Sequence, residues 1–439
     1  MKYVYFYIDE IARDAVVASA LKNHLAKHEI KVVYGNRRMI KFFRELNIPF
    51  PFDLAVFPNV DLVRSTFRNA ESIDFPIVIL PTESVSGTHG TSNRLAIHLL
   101  GSNYNCGAGD DFLNKISKFC LWGNSHLETI NDYSPLVAQR AIVVGHPRYD
   151  SLCLKNETRK KSELSSKKKV GLITRFDAIN IFDDRSNLES TYYMRKIPGM
   201  PLQYFQSENL DVEDIWHNAA LDLRIFFNII DTIDLNAYEV TMRIHPRENR
   251  VKWEHLIKNH SLPVKLAPWD QPFAHWLLGQ DILIAPPSTT FYDMAMIGKS
   301  ALSTQNIEPK RANHTSVLTD DFDPILDYFE RPHSLTELYG KMSDNKLLDQ
   351  SPELMKIVNR ETGFPECCSS LAKVAKVVSD SLSSTAPKKK FWSRSLFSLA
   401  REIDAILFGL LKLARRKEEQ SADFPLGKSR RKFIDSLSL

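Results

Sequence analysis

The sequence predicts an α/β fold of two Rossmann-like, parallel-sheet domains facing a cleft, with an amphipathic helix appended at the carboxyl end. Three observations predict it. Short apolar runs rich in β-branched residues alternate with stretches of helical periodicity, the pattern of βαβ units and a parallel sheet. A polar, aperiodic stretch at 155–169, KNETRKKSELSSKKK, breaks that alternation and reads as a linker. Two strand-like runs beyond it, YEVTMRIHP at 238–246 and DILIAPPSTT at 281–290, both stop at proline. The residue before a proline is pushed out of the helical region, so each run opens there into a loop. The expected division is a first domain at 1–154, the linker, a second domain at 170–384, and a basic tail at 385–439.

Taken in order, residues 2–8 predict a buried strand and 11–28 a helix with apolar residues at helical spacing. A strand at 30–34 and a helical stretch at 37–46 follow. Further short apolar runs occupy 53–57, 75–80, 118–121 and 141–144. The last leads into GHPRYD at 145–150, read as a structural turn at the domain junction. Beyond the linker the expected elements are a strand at 170–174, a long polar loop at 177–213, an apolar helix at 215–233 and the strand ending at His245. A helix at 253–259, a strand at 264–266, a helix at 272–278 and the DILIA strand with its helix complete the second core. Helical stretches at 335–342, 354–359 and 367–382 close the pattern, and no repeat of solenoid or propeller period appears.

Composition bounds the class. With 439 residues, 43% apolar and 25% charged, the chain is long enough for two globular domains with appendages. Its five cysteines form no CxxC and no His/Cys ligand spacing, which points to a reducing compartment and no metal centre. The amino terminus, MKYVYFYIDEIARD, has its apolar run broken by acids and is not a signal peptide. No run reaches the roughly 18–20 apolar residues of a membrane span, so the expectation is cytoplasmic. The net charge of +4 is small, but cations gather at 160–169, 388–390, 415–417 and 428–432. These clusters lack interleaved aromatics and lie mainly in the tail, which argues against nucleic-acid binding.

Within the tail, Trp392, Leu396, Leu399, Ile403, Ile406, Leu410 and Leu413 recur at steps of four and three, lining one helix face. Phe397, Leu407, Phe408 and Leu411 widen that face, and lysines and arginines flank it. A helix lying on an anionic membrane surface through 387–417 is the favoured expectation. A coiled-coil partner helix and a helix docked on the chain's own body are the other two.

The residues suited to chemistry cluster at the two proline breaks. At a strand end, the His245 imidazole ahead of Pro246 can donate to a phosphate oxygen, and Arg243 or Arg247 can add a charged fork. Ser288, Thr289 and Thr290 stand at a helix start, where hydroxyls cap the helix and exposed N–H groups bind phosphate. Asp293, one turn on, can reach a ribose or sit at the positive end of the helix. Arg175, in the Thr174-Arg175-Phe176 stretch after the 170–174 strand, can neutralise a phosphate or serve as an ion-pair partner. No glycine-rich turn follows that strand. The expected ligand is therefore a nucleotide.

IHPRE followed by DILIAPPSTTFYDMAMIGKS resembles the nucleotide-binding half of GT-B glycosyltransferases that make bacterial surface polysaccharides. FCLWGNSHLETI with VVGHPRYD is similar to the end of the first domain in that superfamily. KVGLITRFDAIN and YIDEIARDAVVASALKNHL resemble a group called surface carbohydrate biosynthesis proteins. The resemblance covers roughly residues 1–300 and takes in capsule Kdo-transferases and CDP-glycerol glycerophosphotransferases. It implies a His-Pro and a Ser/Thr pair holding the phosphate and ribose of a CMP-sugar such as CMP-Kdo. It also implies a glycan or lipid-linked acceptor, and no cofactor or metal beyond the nucleotide-sugar donor.

A transferase of this kind needs a base for the acceptor hydroxyl. Glu83, in ILPTESVSG just after an expected strand of the first domain, is the favoured candidate. His89, beside Gly90, is the rival, because glycerophosphotransferases carry a histidine-glycine pair in a comparable region. Glu10 follows the first strand with Asp9 and Arg13, and caps the first helix in the plainer reading. Three alternatives stay open: a CDP-glycerol-type polyol-phosphate transferase, a UDP-sugar 2-epimerase, and a non-catalytic scaffold of a polysaccharide assembly complex.

Overall fold

The computed structural model describes residues 1–9, 11–47, 49–67, 69–82, 96, 99–101, 111–150, 152, 167–176, 179–180, 188–194, 210–268, 271–307, 323–344, 348–364 and 369–383. The chain divides into two compact units, Met1–Leu154 with Asn359–Leu439, and Lys155–Val358. Each unit carries a parallel sheet flanked by helices, the α/β class expected.

In the first unit the elements run β1 (Lys2–Tyr7), α1 (Ile11–Ala26), β2 (Ile30–Gly35), α2 (Arg37–Glu45), β3 (Leu54–Phe57), α3 (Val60–Thr66), β4 (Ile77–Ile79), α4 (Asp111–Lys115), β5 (Ile116–Leu121), α5 (Asn124–Tyr133), α6 (Pro135–Ala138) and β6 (Ala141–Val143). Among the described residues the strands lie in the order β2-β1-β3-β4-β5-β6, every pair parallel. Helices on both faces bury both sides of such a sheet, so its strands read as continuous apolar runs. Alternation then sorts β1 between two cores. Tyr5 and Tyr7 join an aromatic cluster with Phe43, Phe50, Phe52 and Phe57. Val4 and Phe6 meet the Ala18, Leu21 and Leu25 stripe of α1.

The second face is completed by a distant helix. The last described helix of the chain, Ser370–Ser383, brings Val374, Val378 and Leu382 onto the same core as α1. Asp150 fastens its start, accepting from the N–H groups of Ser370 at 3.1 Å and Leu371 at 2.9 Å. Lys2 Nζ donates to Leu382 O at its far end. The expected second domain, drawn to residue 384, is corrected here: Asn359–Ser383 belongs with the first sheet. An apolar stripe at helical spacing shows that a helix buries a face, not which sheet receives it.

GHPRYD is part of the same anchorage. His146 is buried and its Nδ1 accepts from Arg148 N at 3.2 Å. The Arg148 guanidinium lies over the rings of Trp122 and Tyr149, at 4.9 and 4.7 Å. Gly123, just before α5, admits the Arg360 carbonyl. A Cβ there would fall 2.2 Å from that oxygen. Ser125 Oγ donates to Glu361 Oε2 at 2.9 Å beside it.

In the second unit the elements run β7 (Lys168–Ile173), α7 (Leu188–Met194), α8 (Leu210–Thr232), β8 (Tyr238–Arg243), α9 (Arg250–Asn259), β9 (Lys265–Leu266), α10 (Phe273–Leu278), β10 (Ile282–Ala285), α11 (Thr290–Met296), β11 (Ala301–Ser303), α12 (Asp323–Leu326), α13 (Leu335–Asp344) and α14 (Pro352–Thr362), whose last residues pass to the first unit. The anchored helix Ser370–Ser383 is α15. Two expectations shift. β7 begins at Lys168, inside the expected linker, because Lys168 and Lys169 pair in parallel with Tyr238 and Glu239. The expected loop at 177–213 contains α7, and α8 starts at Leu210. Leu223, Phe226, Phe227 and Ile230 of α8 pack with Trp253 and Leu256 of α9 in the core of this unit.

Among the described residues no helix is long and apolar enough to cross a membrane. No group of three or more His, Cys, Asp or Glu side chains gathers there to hold a metal. The basic tail at 385–439 and most of the linker lie outside the described residues.

Candidate phosphate-binding site

The second sheet has the strand order β11-β10-β7-β8-β9. From β7 the chain builds outward through β8 and β9, then crosses back to add β10 and β11 on the other side. The order therefore reverses between β7 and β10. In open parallel sheets ligands bind at the carboxyl ends of strands where this reversal happens. β7 leads there into Thr174-Arg175-Phe176, β10 into Pro286-Pro287-Ser288, and β8, the other neighbour of β7, into Ile244-His245-Pro246.

The Arg175 side chain bridges the reversal, its Nη1 donating to the Pro287 carbonyl at 2.7 Å. His245 closes a turn in which Glu248 N donates to His245 O at 2.9 Å. The His245 backbone N–H points to Thr174 Oγ1 at 3.0 Å, and its Nδ1 accepts from Arg247 N at 3.3 Å. A neutral ring in that role carries its proton on Nε2. Pro246 sits inside this turn and Arg247 is exposed beside it. Arg243 is turned the other way, with Nη1 on Pro268 O at 2.9 Å. Its fork holds the exit of β9. Arg250 holds the same β9 exit, bonding Ala267 O at 2.9 Å and pairing with Glu254 at 2.7 Å.

At the β10 exit the hydroxyl residues are arranged differently from a capped helix start. Thr289 is the N-cap of α11 but makes no side-chain cap bond. Ser288 Oγ and Thr290 Oγ1 bond each other at 2.5 Å. Among the described residues no acceptor is found for the N–H groups of Ser288, Thr289 and Thr290. The first N–H groups of a helix have no partner within it, so this turn can offer backbone donors. Asp293 is only 2% exposed, which favours the helix-end reading over a ribose contact.

Sequence reasoning missed the residue at the centre of this site. Glu248 is fully buried, and four donors converge on its carboxylate. Oε1 accepts from Thr174 Oγ1 at 2.5 Å, Phe176 N at 2.9 Å and, more weakly, His245 N at 3.3 Å. Oε2 accepts from Trp253 Nε1 at 2.7 Å. A glutamate between charged neighbours in RENR reads as solvated. The faint signal was its place just ahead of the Asn249 cap of α9, whose Oδ1 accepts from Lys252 N at 3.2 Å. The candidates Glu10, Glu83 and His89 lie outside the described residues. The fold therefore brings together Arg175, His245 and Ser288–Thr290, with Thr174 and Glu248 beneath them.

The molecule is thus an α/β protein of two parallel sheets, the second with Arg175, the His245 turn and Ser288–Thr290 at the ends of three adjacent strands. No protein-family model matches the chain, and no curated protein matches it. Among solved structures it is similar to S. aureus MnaA with UDP, at TM-score 0.46 and 10% identity over 88% of this chain and 99% of that one. It is similar to the wall teichoic acid polymerase TagF with CDPG, at TM-score 0.46 and 10% identity over 87% and 89%. It is also similar to the Methanocaldococcus jannaschii UDP-GlcNAc 2-epimerase with UDP-GlcNAc and UDP, at TM-score 0.43 and 11% identity over 86% and 100%. At such identities and scores the likeness adds nothing to what the two sheets themselves show.

Proposed function

We propose that this chain is a glycosyltransferase of the GT-B type, acting in bacterial surface-polysaccharide biosynthesis with a nucleotide-sugar donor. The observation that carries the reading is the strand order of the second sheet. Its reversal sets Arg175, the His245 turn and the Ser288–Thr290 donors at the ends of three adjacent strands. Cationic forks with convergent N–H groups suit a phosphate. The sequence resemblance of the same two segments supplies the reaction class.

A CMP-sugar is the favoured donor. A diphosphate cradle at a first strand end needs glycine so that backbone can approach the pyrophosphate. Here the β7 exit is Thr174-Arg175-Phe176, with no glycine, and Glu248 ties two of those three residues down. In this reading side chains and backbone, not a metal, neutralise the donor. Glu83 takes the proton of the acceptor hydroxyl, with His89 and Glu10 as the other candidates, and the acceptor is a glycan or lipid-linked sugar.

Calorimetric titration with CMP, CDP, UDP and GDP tests the donor class. Preferential binding of CMP is expected. Preference for CDP with CDP-glycerol turnover moves the assignment to polyol-phosphate transfer. Preference for UDP with C2 epimerisation moves it to the epimerase. Binding of none removes the transferase reading.

A further inference from the structure

We propose that Glu248 is a positioning residue for the candidate phosphate site. Its carboxylate registers the β7 exit against the His245 turn, so that Arg175 and His245 meet a phosphate as one unit. The inference rests on the donor-site reading above but concerns a residue that touches no ligand.

The geometry points to this role in three ways. First, a hydroxyl, two backbone N–H groups and an indole N–H donate to the Glu248 carboxylate. A carboxylate accepts from all of them, whereas a carboxylic acid would set its own O–H against one. Second, those donors come from separate pieces of chain. Thr174 and Phe176 flank Arg175 after β7, His245 follows β8, and Trp253 lies in α9. Backbone also ties Asn249 to Asn180, with Asn249 N on Asn180 O at 2.9 Å and Asn180 Nδ2 on Asn249 O at 3.1 Å. Third, a charge buried this deeply costs more than an apolar side chain of equal size. What it gives in return is fixed geometry at two neighbouring strand ends. Residues that hold binding groups in this way govern affinity without contact.

The test combines a binding cycle with a ligand-free measurement. Glu248→Gln keeps the shape but sets an amide N–H2 among donors. In the parent background it is expected to weaken CMP binding about tenfold or more. In an Arg175→Ala/His245→Ala background it is expected to add less than about threefold, because the groups it positions are gone. Equal losses in both backgrounds overturn the proposal and leave Glu248 a general stabiliser. Should Glu248→Gln fail to fold, Trp253→Phe removes one donor and keeps the charge. A loss of about twofold or more in the parent background, absent in the double variant, then supports the proposal, and equal effects overturn it.

The second readout is ¹⁵N NMR of the His245 ring, assigned by its disappearance in His245→Ala. The parent is expected to show the Nε2–H tautomer, and Glu248→Gln a mixture of tautomers. An unchanged ring overturns the proposal. If the parent binds none of the four nucleotides, the donor reading falls, and this ring measurement still decides the role of Glu248.

Discussion

Arg175 and Pro287 are joined across the line where the second sheet reverses its strand order, by a 2.7 Å hydrogen bond from guanidinium to carbonyl. β7 and β10 are adjacent and parallel, so their exits diverge from neighbouring points. The bond spans that opening. Arg175→Ala is expected to weaken binding of a nucleoside monophosphate by about 10- to 100-fold, the scale of a charged hydrogen bond of about 1.5–3 kcal/mol. Binding of the nucleoside without phosphate should stay near the parent value. Calorimetry with CMP and cytidine separates the two. Equal loss for both ligands would show that Arg175 only shapes the crevice.

The proposed donor site has His245 and Ser288 meet the phosphate from the other two strand exits. Loss of the imidazole in His245→Ala is expected to cost about 10- to 100-fold in affinity. Ser288→Ala removes one neutral hydroxyl and should cost about two- to tenfold. A His245→Ala protein that folds and binds all four nucleotides as the parent does would falsify the crevice assignment.

The strand ends of this site were legible because proline punctuates them. Ile244-His245-Pro246 and Ala285-Pro286-Pro287 could not continue as ladder or helix, and both breaks fall where expected. What surrounds them was less legible. Lys168 and Lys169 looked like linker because long cations suit solvent, yet they extend β7 by pairing with Tyr238 and Glu239. The Val374, Val378 and Leu382 stripe foretold a helix, but its seat beside α1 depends on Asp150, some 220 residues away. Glu248 was the largest omission. Burial of a carboxylate is decided by four donors scattered over three segments, and no local pattern announces such convergence. Arg243 shows the converse, a plausible phosphate ligand that the fold employs on Pro268.

In the proposed reading the general base lies in the first domain. Glu83→Gln is expected to keep nucleotide affinity while lowering turnover by about 100-fold or more, since it removes the base and not the donor site. Single-turnover assays with donor and acceptor measure it. Unchanged turnover in Glu83→Gln, with loss in His89→Ala, transfers the role to the histidine and favours phosphotransfer.

The basic tail gives a prediction independent of the crevice. If 387–417 forms an interfacial helix, the full chain should sediment with anionic vesicles and a chain ending at Ser384 should not. Raising the salt should release the full chain in part, because the flanking cations supply a share of the attraction. Equal partitioning of the two forms, or none by either, leaves the segment to packing or assembly.

Asp150 supplies a pH-dependent prediction. It is 8% exposed, and burial pushes its carboxyl up from the ordinary 3.8 to about 6, against the opposing pull of the Leu371 and Ser370 bonds and of Lys373. The folded chain thus holds a proton on Asp150 where the unfolded chain has lost it. Stability from this group is complete below about pH 4, falls as pH rises from about 4 to 6, and is level above that. The shift corresponds to about 1–3 kcal/mol at most, or several degrees in Tm for a domain of this size. Asp150→Asn carries no titrating proton and still offers one oxygen to the start of α15. Thermal melts at steps between pH 4 and 7 should therefore show the parent losing stability relative to the variant across that window, with the difference constant above it. Parallel curves for the two proteins would mean that Asp150 holds α15 as an ordinary ionised cap, with no proton exchanged on folding.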